Sequence, residues 1–254
     1  MTVEVAVEGH VIIATINRPE ARNAVNDVVA RGIEQAVDQL ESDDDLWIGI
    51  LTGVPPVFSA GADLKMMSAG LGTQLTTERG GFAGLTRRER VKPIIAAVDG
   101  PALAGGTELV LACDLVVASS AASFGIPEVK RSLVAAGGGL FRLPRRLPFN
   151  VAMQCALTGD PIDAESAHRF GFVNQLTQPG EALDGARALA ARIAANAPVA
   201  VRETRRVMIA AALADDSTAW RLSEEAMGVA ISSADFSEGL AAFIEKRAPV
   251  WTGR

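Results

Sequence analysis

The stretch from Ile94 to Glu128 constrains this chain more than any other. Ile94-Ile95-Ala96-Ala97-Val98 is a continuous apolar run, the pattern of a short strand buried on both faces. Asp99-Gly100-Pro101-Ala102-Leu103-Ala104 then leads to the pair Gly105-Gly106, to Thr107-Glu108, and to an apolar run through Cys113 that reads as a helix. Leu115-Val116-Val117-Ala118 reads as the next strand, and Phe124-Gly125-Ile126-Pro127 runs up to a second acid, Glu128. Both acids sit among apolar neighbours. A carboxyl group in such surroundings is costly unless it has a partner or a chemical task.

The flanking chain repeats the alternation. Val3–Glu8 and Val11–Ile16 are β-branched runs joined at Gly9-His10, a hairpin signal. A loop is expected over 17–23, and Asn26 or Asp27 can cap a helix whose apolar positions are Val29, Ile33, Val37 and Leu40. Trp47–Leu51 reads as a buried strand. Residues 58–65, Phe-Ser-Ala-Gly-Ala-Asp-Leu-Lys, lead into a new helix. Residues 68–92 are broken by glycines and read as a partly helical lid or connector. Its closing cluster, Arg87, Arg88, Arg90 and Lys92, is expected to be a solvated helix face, with a phosphate contact as the alternative. Helices are expected over 151–157 and 163–169, and a strand over 172–176. From Glu181 onward the chain reads as almost all helix, with Pro198 starting one helix and Asp216-Ser217 and Asp235 capping two more. Alternating strands and helices followed by a helical run imply an α/β core with a helical C-terminal appendage.

Composition narrows the function. With 254 residues, 49% of them hydrophobic and 21% charged, the chain can bury a sizeable core. A net charge of −6 argues against nucleic acid or an anionic membrane as the main partner. No apolar run approaches the roughly 20 residues of a membrane span, and residues 1–5 lack the pattern of a secretion signal. Cys113 and Cys155 sit in apolar runs and read as reduced core thiols of a cytoplasmic protein. Neither His10 nor His168 lies near a Gly-x-Ser-x-Gly elbow, and the dinucleotide fingerprint, the phosphate loop and metal-ligand spacings are all missing.

That leaves backbone amides and two acids. Gly105-Gly106 precedes a helix start, where N–H groups are unsatisfied and carry the positive end of the helix dipole. Ser59-Ala60-Gly61-Ala62-Asp63 has the same design: small residues, then a helix start. Two such amides converging on one oxygen form an oxyanion hole. The residues alone also allow two tight turns packed on the core, with Glu108 as an acid in the first turn of a helix and Pro127-Glu128 as a helix start.

At these positions the sequence resembles the crotonase, or enoyl-CoA hydratase/isomerase, superfamily. The matches run from Asn17-Arg18-Pro19 and Asn23-Ala24, through Phe58–Lys65, Ala104–Leu109 and Phe124–Glu128, to Leu157–Asp160 and Ala241–Arg247. The resemblance implies an α/β fold built as a spiral of ββα units over residues 1–197, with a helical oligomerisation region over 198–254 that builds a homotrimer or a dimer of trimers. It implies an acyl-CoA thioester substrate with no separate cofactor and no metal, its carbonyl oxygen held by the amides of Ala62 and Gly105. Coenzyme A is then expected near Ala21, Arg22, Ala60 and Lys65, with Phe243 and Lys246 reaching it from α-helical C-terminal chain. Glu108 and Glu128 together imply a hydratase, adding water to a 2-enoyl thioester; an isomerase, a dehydratase of a specialised 3-hydroxyacyl thioester and a non-catalytic acyl-CoA binder are the alternatives. Ala136 stands where a glycine amide often helps to position the water, and its amide is expected to be available. Gly80–Thr86 and Glu245–Trp251 are similar to carnitinyl-CoA dehydratases, which implies a polar or branched acyl group.

Overall fold

The computed structural model describes residues 2–254. Strands β1 (Val3–Glu8) and β2 (Val11–Ile16) form the expected hairpin, paired Glu8 to Val11 at the turn and Val3 to Ile16 at the open end. Helix α1 (Asp27–Ser42) follows. Asn26 caps it, its side chain accepting from Val29 N–H at 2.8 Å, and Val29, Ile33, Val37 and Leu40 are all buried. Strand β3 (Ile48–Gly53) and the short helix α2 (Leu64–Ser68) come next, then the two-residue strands β4 (Thr76–Thr77) and β5 (Gly81–Phe82).

The central unit is β6 (Ile94–Val98), β7 (Pro101–Leu103) and α3 (Gly105–Ala112), and β8 (Leu115–Ser119) with β9 (Ser123–Gly125) repeats its two strands. In each case the first strand enters a six-stranded sheet, ordered β1-β2-β3-β6-β8 and closed by β11 (Gln175–Thr177). The second strand enters a small sheet, where β7 and β9 run parallel and β9 pairs with β10 (Ile162–Asp163). This is the ββα spiral. Strand β6 is buried on both faces because its side chains alternate between two cores. Ile94, Ala96 and Val98 join the larger core under α1 and α3, whereas Ile95 and Ala97 join Ile48, Ile50 and Val117 beneath α7 (Ala182–Ala194).

Several expectations need correction. The cluster after Gly84 is no solvated helix face: it is not helical, and of its four basic residues only Arg87 is exposed. Arg88 pairs with Asp38, Arg90 is almost fully buried against Asp114, and buried Lys92 donates to the carbonyls of Leu40 and Asp43. Helix α4 (Gly139–Arg146) carries Pro144 within it. After α5 (Phe149–Thr158) and α6 (Ala164–Arg169), Phe172 and Val173 are buried but the strand begins only at Gln175. Helix α8 (Pro198–Ala211) starts at Pro198 as expected. Helices α9 (Asp216–Ile231) and α10 (Ala234–Glu245) are capped by Asp215 and Ser233, one and two residues ahead of the residues read as caps. Asp235 instead accepts from the backbone N–H of Thr252 and Gly253 and pins the C-terminal tail.

Candidate functional site

The two glycine segments meet because both border β7. Residues 58–60 run beside it: Phe58 N–H donates to Pro101 O at 3.0 Å and Leu103 N–H donates to Ser59 O at 2.9 Å. Each chain then turns at the same level, one at Gly61 and the other at Ala104. Gly61 has φ of +84°, and a Cβ there would lie 2.6 Å from Gly105 N. Only glycine permits that approach. Ala104 is held at φ of +53° by its own N–H bond to Gly125 O at 2.9 Å. Among the described residues, neither Ala62 N–H nor Gly105 N–H has a protein acceptor. Two unsatisfied donors therefore sit side by side at strand ends, one of them at the positive end of α3.

The surrounding bonds fix this pair. Ala60 N–H donates to Arg22 O, Val25 N–H to Gly61 O and Asp63 N–H to Val25 O, so the loop over 17–25 grips the first segment. Asp63 caps α2 and also accepts from Arg18 Nη1 at 2.7 Å. Buried Asn23 donates to Val54 O and Val57 O. On the other side, Thr107 Oγ1 lies within hydrogen-bond distance of Ala102 O (2.7 Å) and Gly125 O (2.8 Å), to either of which its one proton can be given, and accepts from Gly125 N–H, tying α3 to β7 and β9.

A cavity of about 660 Å³ opens over these amides. Its lining includes Ala60, Ala62, Gly105, Glu108 and Glu128 together. Glu108, one turn into α3, is buried; Oε1 accepts from Gly139 N–H at 2.9 Å. A Cβ on Gly137 would lie 2.6 Å from its Oε2, so the glycine run after Ala136 lets backbone N–H groups close on this carboxyl. Burial pushes the Glu108 carboxyl above its ordinary value, against the opposing pull of the Gly139 and Gly137 N–H groups and the Arg142 guanidinium. Glu128 lies in a 3₁₀ turn over Pro127–Arg131. Its Oε2 is closed off from solvent and has no hydrogen-bond partner among the described residues. Burial, with the nearby charge of Glu108, pushes its carboxyl up to about 7. The two acids are thus unlike. Two amide donors and the Arg142 guanidinium favour the ionised form of Glu108, whereas Glu128 has only its own backbone N–H to do so.

Other expected residues lie elsewhere. Ala21 and Arg22 adjoin Ala60 through the Arg22 carbonyl, and Lys65 is exposed in the first turn of α2; none of the three lines the cavity. Phe243 is 84% exposed near the end of α10, and Lys246 is its left-handed C-cap. The expectation for Ala136 fails: its N–H donates to Val134 O at 2.8 Å, so the amides of Gly137 and Gly139 turn toward Glu108 instead. His10 stacks on Trp47 and His168 bonds Val173 O, both away from the cavity. Cys113 and Cys155 are free buried thiols. Arg142 was invisible in sequence. It bridges Thr86 O and Gly137 O beside Glu108, and only the triple glycine before it signalled a close backbone approach. No group of three or more potential metal-ligating side chains occurs among the described residues.

A ββα spiral carrying two exposed amides and two carboxyls in one cleft defines a crotonase-type α/β protein. The family model for enoyl-CoA hydratase/isomerase matches residues 6–254, so the chain belongs to that family. Enoyl-CoA hydratase EchA19 of Mycobacterium tuberculosis is 38% identical over 253 residues, covering 97% of this chain and 94% of that protein. Carnitinyl-CoA dehydratase of Salmonella typhi is 36% identical over 252 residues, covering 97% and 96%. The crystal structure of an enoyl-CoA hydratase from Mycobacterium tuberculosis H37Rv superposes with a TM-score of 0.96 at 49% identity, covering 100% of this chain and 99% of that one.

Proposed function

We propose that this protein is an enoyl-CoA hydratase, a hydro-lyase that reversibly adds water to a 2-enoyl thioester of coenzyme A. The observation that carries the reading is the convergence of Ala62, Gly105, Glu108 and Glu128 on one cavity. The N–H groups of Ala62 and Gly105 bind the thioester oxygen and stabilise the negative charge that builds there as the alkene is attacked. Water adds at Cβ and gives one proton to Glu108, whose amide donors suit it to the carboxylate form. Glu128 in its acid form gives a proton to Cα. The turnover leaves the proton on Glu108, and its return to Glu128 through the water of the cleft resets the pair. Ala21, Arg22, Ala60 and Lys65 gather at the first amide segment and are assigned to coenzyme A.

Helices α8 to α10 are assigned to oligomer assembly. They and the turn between α8 and α9 expose Leu213 (77%), Trp220 (69%), Phe243 (84%) and Ile244 (78%), a surface that suits burial against further copies as a trimer or hexamer. In that arrangement Phe243 and Lys246 reach the ligand of a neighbouring subunit. Purified protein given crotonyl-CoA is expected to form 3-hydroxybutyryl-CoA. Glu108→Gln and Glu128→Gln are each expected to lower that rate about 10²–10⁴-fold. Full activity in both variants, or double-bond migration without hydration, overturns the reading.

A further inference from the structure

One wall of the cavity comes from the segment between Thr76 and Arg87. The arginines in and just beyond it differ in what they bind. Arg79 and Arg88 each hold Asp38 at 2.6 Å, and Arg90 holds Asp114. Arg87 lines the cavity as an exposed residue, and no carboxylate among the described residues lies within ion-pair distance of it. Its backbone and stem are nonetheless fixed: the Arg87 N–H donates to Gly80 O at 2.7 Å, and a Cβ on Gly81 would come within 2.7 Å of the Arg87 Cγ. Beside it, Thr86 is 2% exposed and lines the same cavity, and its hydroxyl is buried without a hydrogen-bond partner. A buried hydroxyl with no partner is costly unless a ligand completes it.

The charge of the lining points the same way. Lys130 is neutralised by Asp160 at 2.6 Å, while Arg131 contacts only the Lys130 carbonyl. Two guanidinium groups in the lining therefore lack counter-charges, a setting that repels a cationic acyl group and attracts an anionic one. The anion has two possible sources, a carboxylate on the acyl group or a phosphate of coenzyme A. Position favours the first. Phe82, from the Arg87 wall, packs on Gly105: a Cβ there would lie 2.4 Å from Phe82 Cε1. Thr86 O accepts from Arg142 Nη2 at 2.7 Å, and Arg142 sits against Gly137 beside Glu108. Arg87 and Thr86 are thus coupled at both ends to the reaction centre. Of the residues assigned to coenzyme A, Ala60 lines the cavity beside the amides, while the two cationic ones, Arg22 and Lys65, and Ala21 are outside the lining.

We propose that the substrate is a 2-enoyl thioester whose acyl group carries a carboxylate, held by the Arg87 guanidinium and a hydrogen bond from the Thr86 hydroxyl. This rests on the hydratase reading. The test compares three thioesters of coenzyme A: glutaconyl (anionic), crotonyl (neutral) and crotonobetainyl (cationic). Wild type is expected to show the highest kcat/KM for glutaconyl-CoA. Arg87→Gln is expected to lower the glutaconyl-to-crotonyl ratio at least tenfold, Thr86→Val to lower it less, and Arg87→Glu to turn the preference toward the cationic thioester. Equal losses on all three in Arg87→Gln assign the residue to a phosphate and overturn the proposal; so does an unchanged ratio. Calorimetric binding of glutaryl-CoA against butyryl-CoA gives the same comparison without turnover. A preference for glutaryl-CoA that Arg87→Gln abolishes upholds the anion site even if hydration itself fails, and equal affinities overturn it.

Discussion

Residue by residue, the site depends on what two glycines leave out and on what one carboxyl lacks. Gly61 and Gly105 bring two donors to one place because neither carries a side chain. Gly61→Ala sets a Cβ against Gly105 N and strains a left-handed backbone, so it is expected to lower kcat about 10²–10³-fold and to cost about 1–3 kcal/mol of stability. Kinetics and denaturant unfolding check both. Glu128 sets the pH dependence. Its carboxyl titrates at about 7, and its acid form delivers the proton, so activity is expected to fall as pH rises through about 7. The sign for stability is the same. A carboxyl raised by folding stabilises below its ordinary value and loses that contribution as pH rises toward about 7. With part of the group in reach of water, the loss is about 1–2 kcal/mol. Urea unfolding at pH 5 and pH 8 should show the drop in wild type, and Glu128→Gln should flatten it.

Among the elements, helix α1, the hairpin and β6 were legible in the sequence because each buries its own pattern: period 3.6, alternation, or a continuous run. The bond network around the amides was less so. Arg18, Asn23 and Asp63 read as loop polars, and nothing local announces that they grip the Ala60–Asp63 segment. The basic cluster misled because a run of charges looks alike whether solvated or buried. Here Arg90 and Arg205 clamp Asp114, with Arg205 reaching from α8 into the core. Burial alone would raise the Asp114 carboxyl, but the two guanidinium groups outweigh it and hold it below the usual carboxylate range. Asp114→Ala leaves two buried cations unpaired and is expected to cost about 3–5 kcal/mol, read as a lower midpoint of denaturant unfolding. Losing the cap in Asn26→Ala is expected to cost only about 1 kcal/mol.

For the whole molecule, the spiral is what turns distant sequence into one site. It sends alternate strands to two sheets, sets residues 58–60 against β7, and brings α3 and the turn at Pro127 to one cavity. Glu108 and Glu128 were legible as acids in apolar surroundings. Their common cavity followed from the family resemblance rather than from spacing. The different holds on them, and the use of Ala136 N–H by Val134, are tertiary effects with no local signature. Light scattering is expected to give a mass that is three or six times 26.5 kDa, and Leu213→Asp with Phe243→Asp should reduce it. The most direct measurement of the central claim is a double-mutant cycle on crotonyl-CoA hydration with Glu108→Gln, Glu128→Gln and both together. Two carboxyls acting as one unit predict that the double variant is scarcely slower than either single variant. Losses that multiply, or a single variant at the wild-type rate, would contradict it.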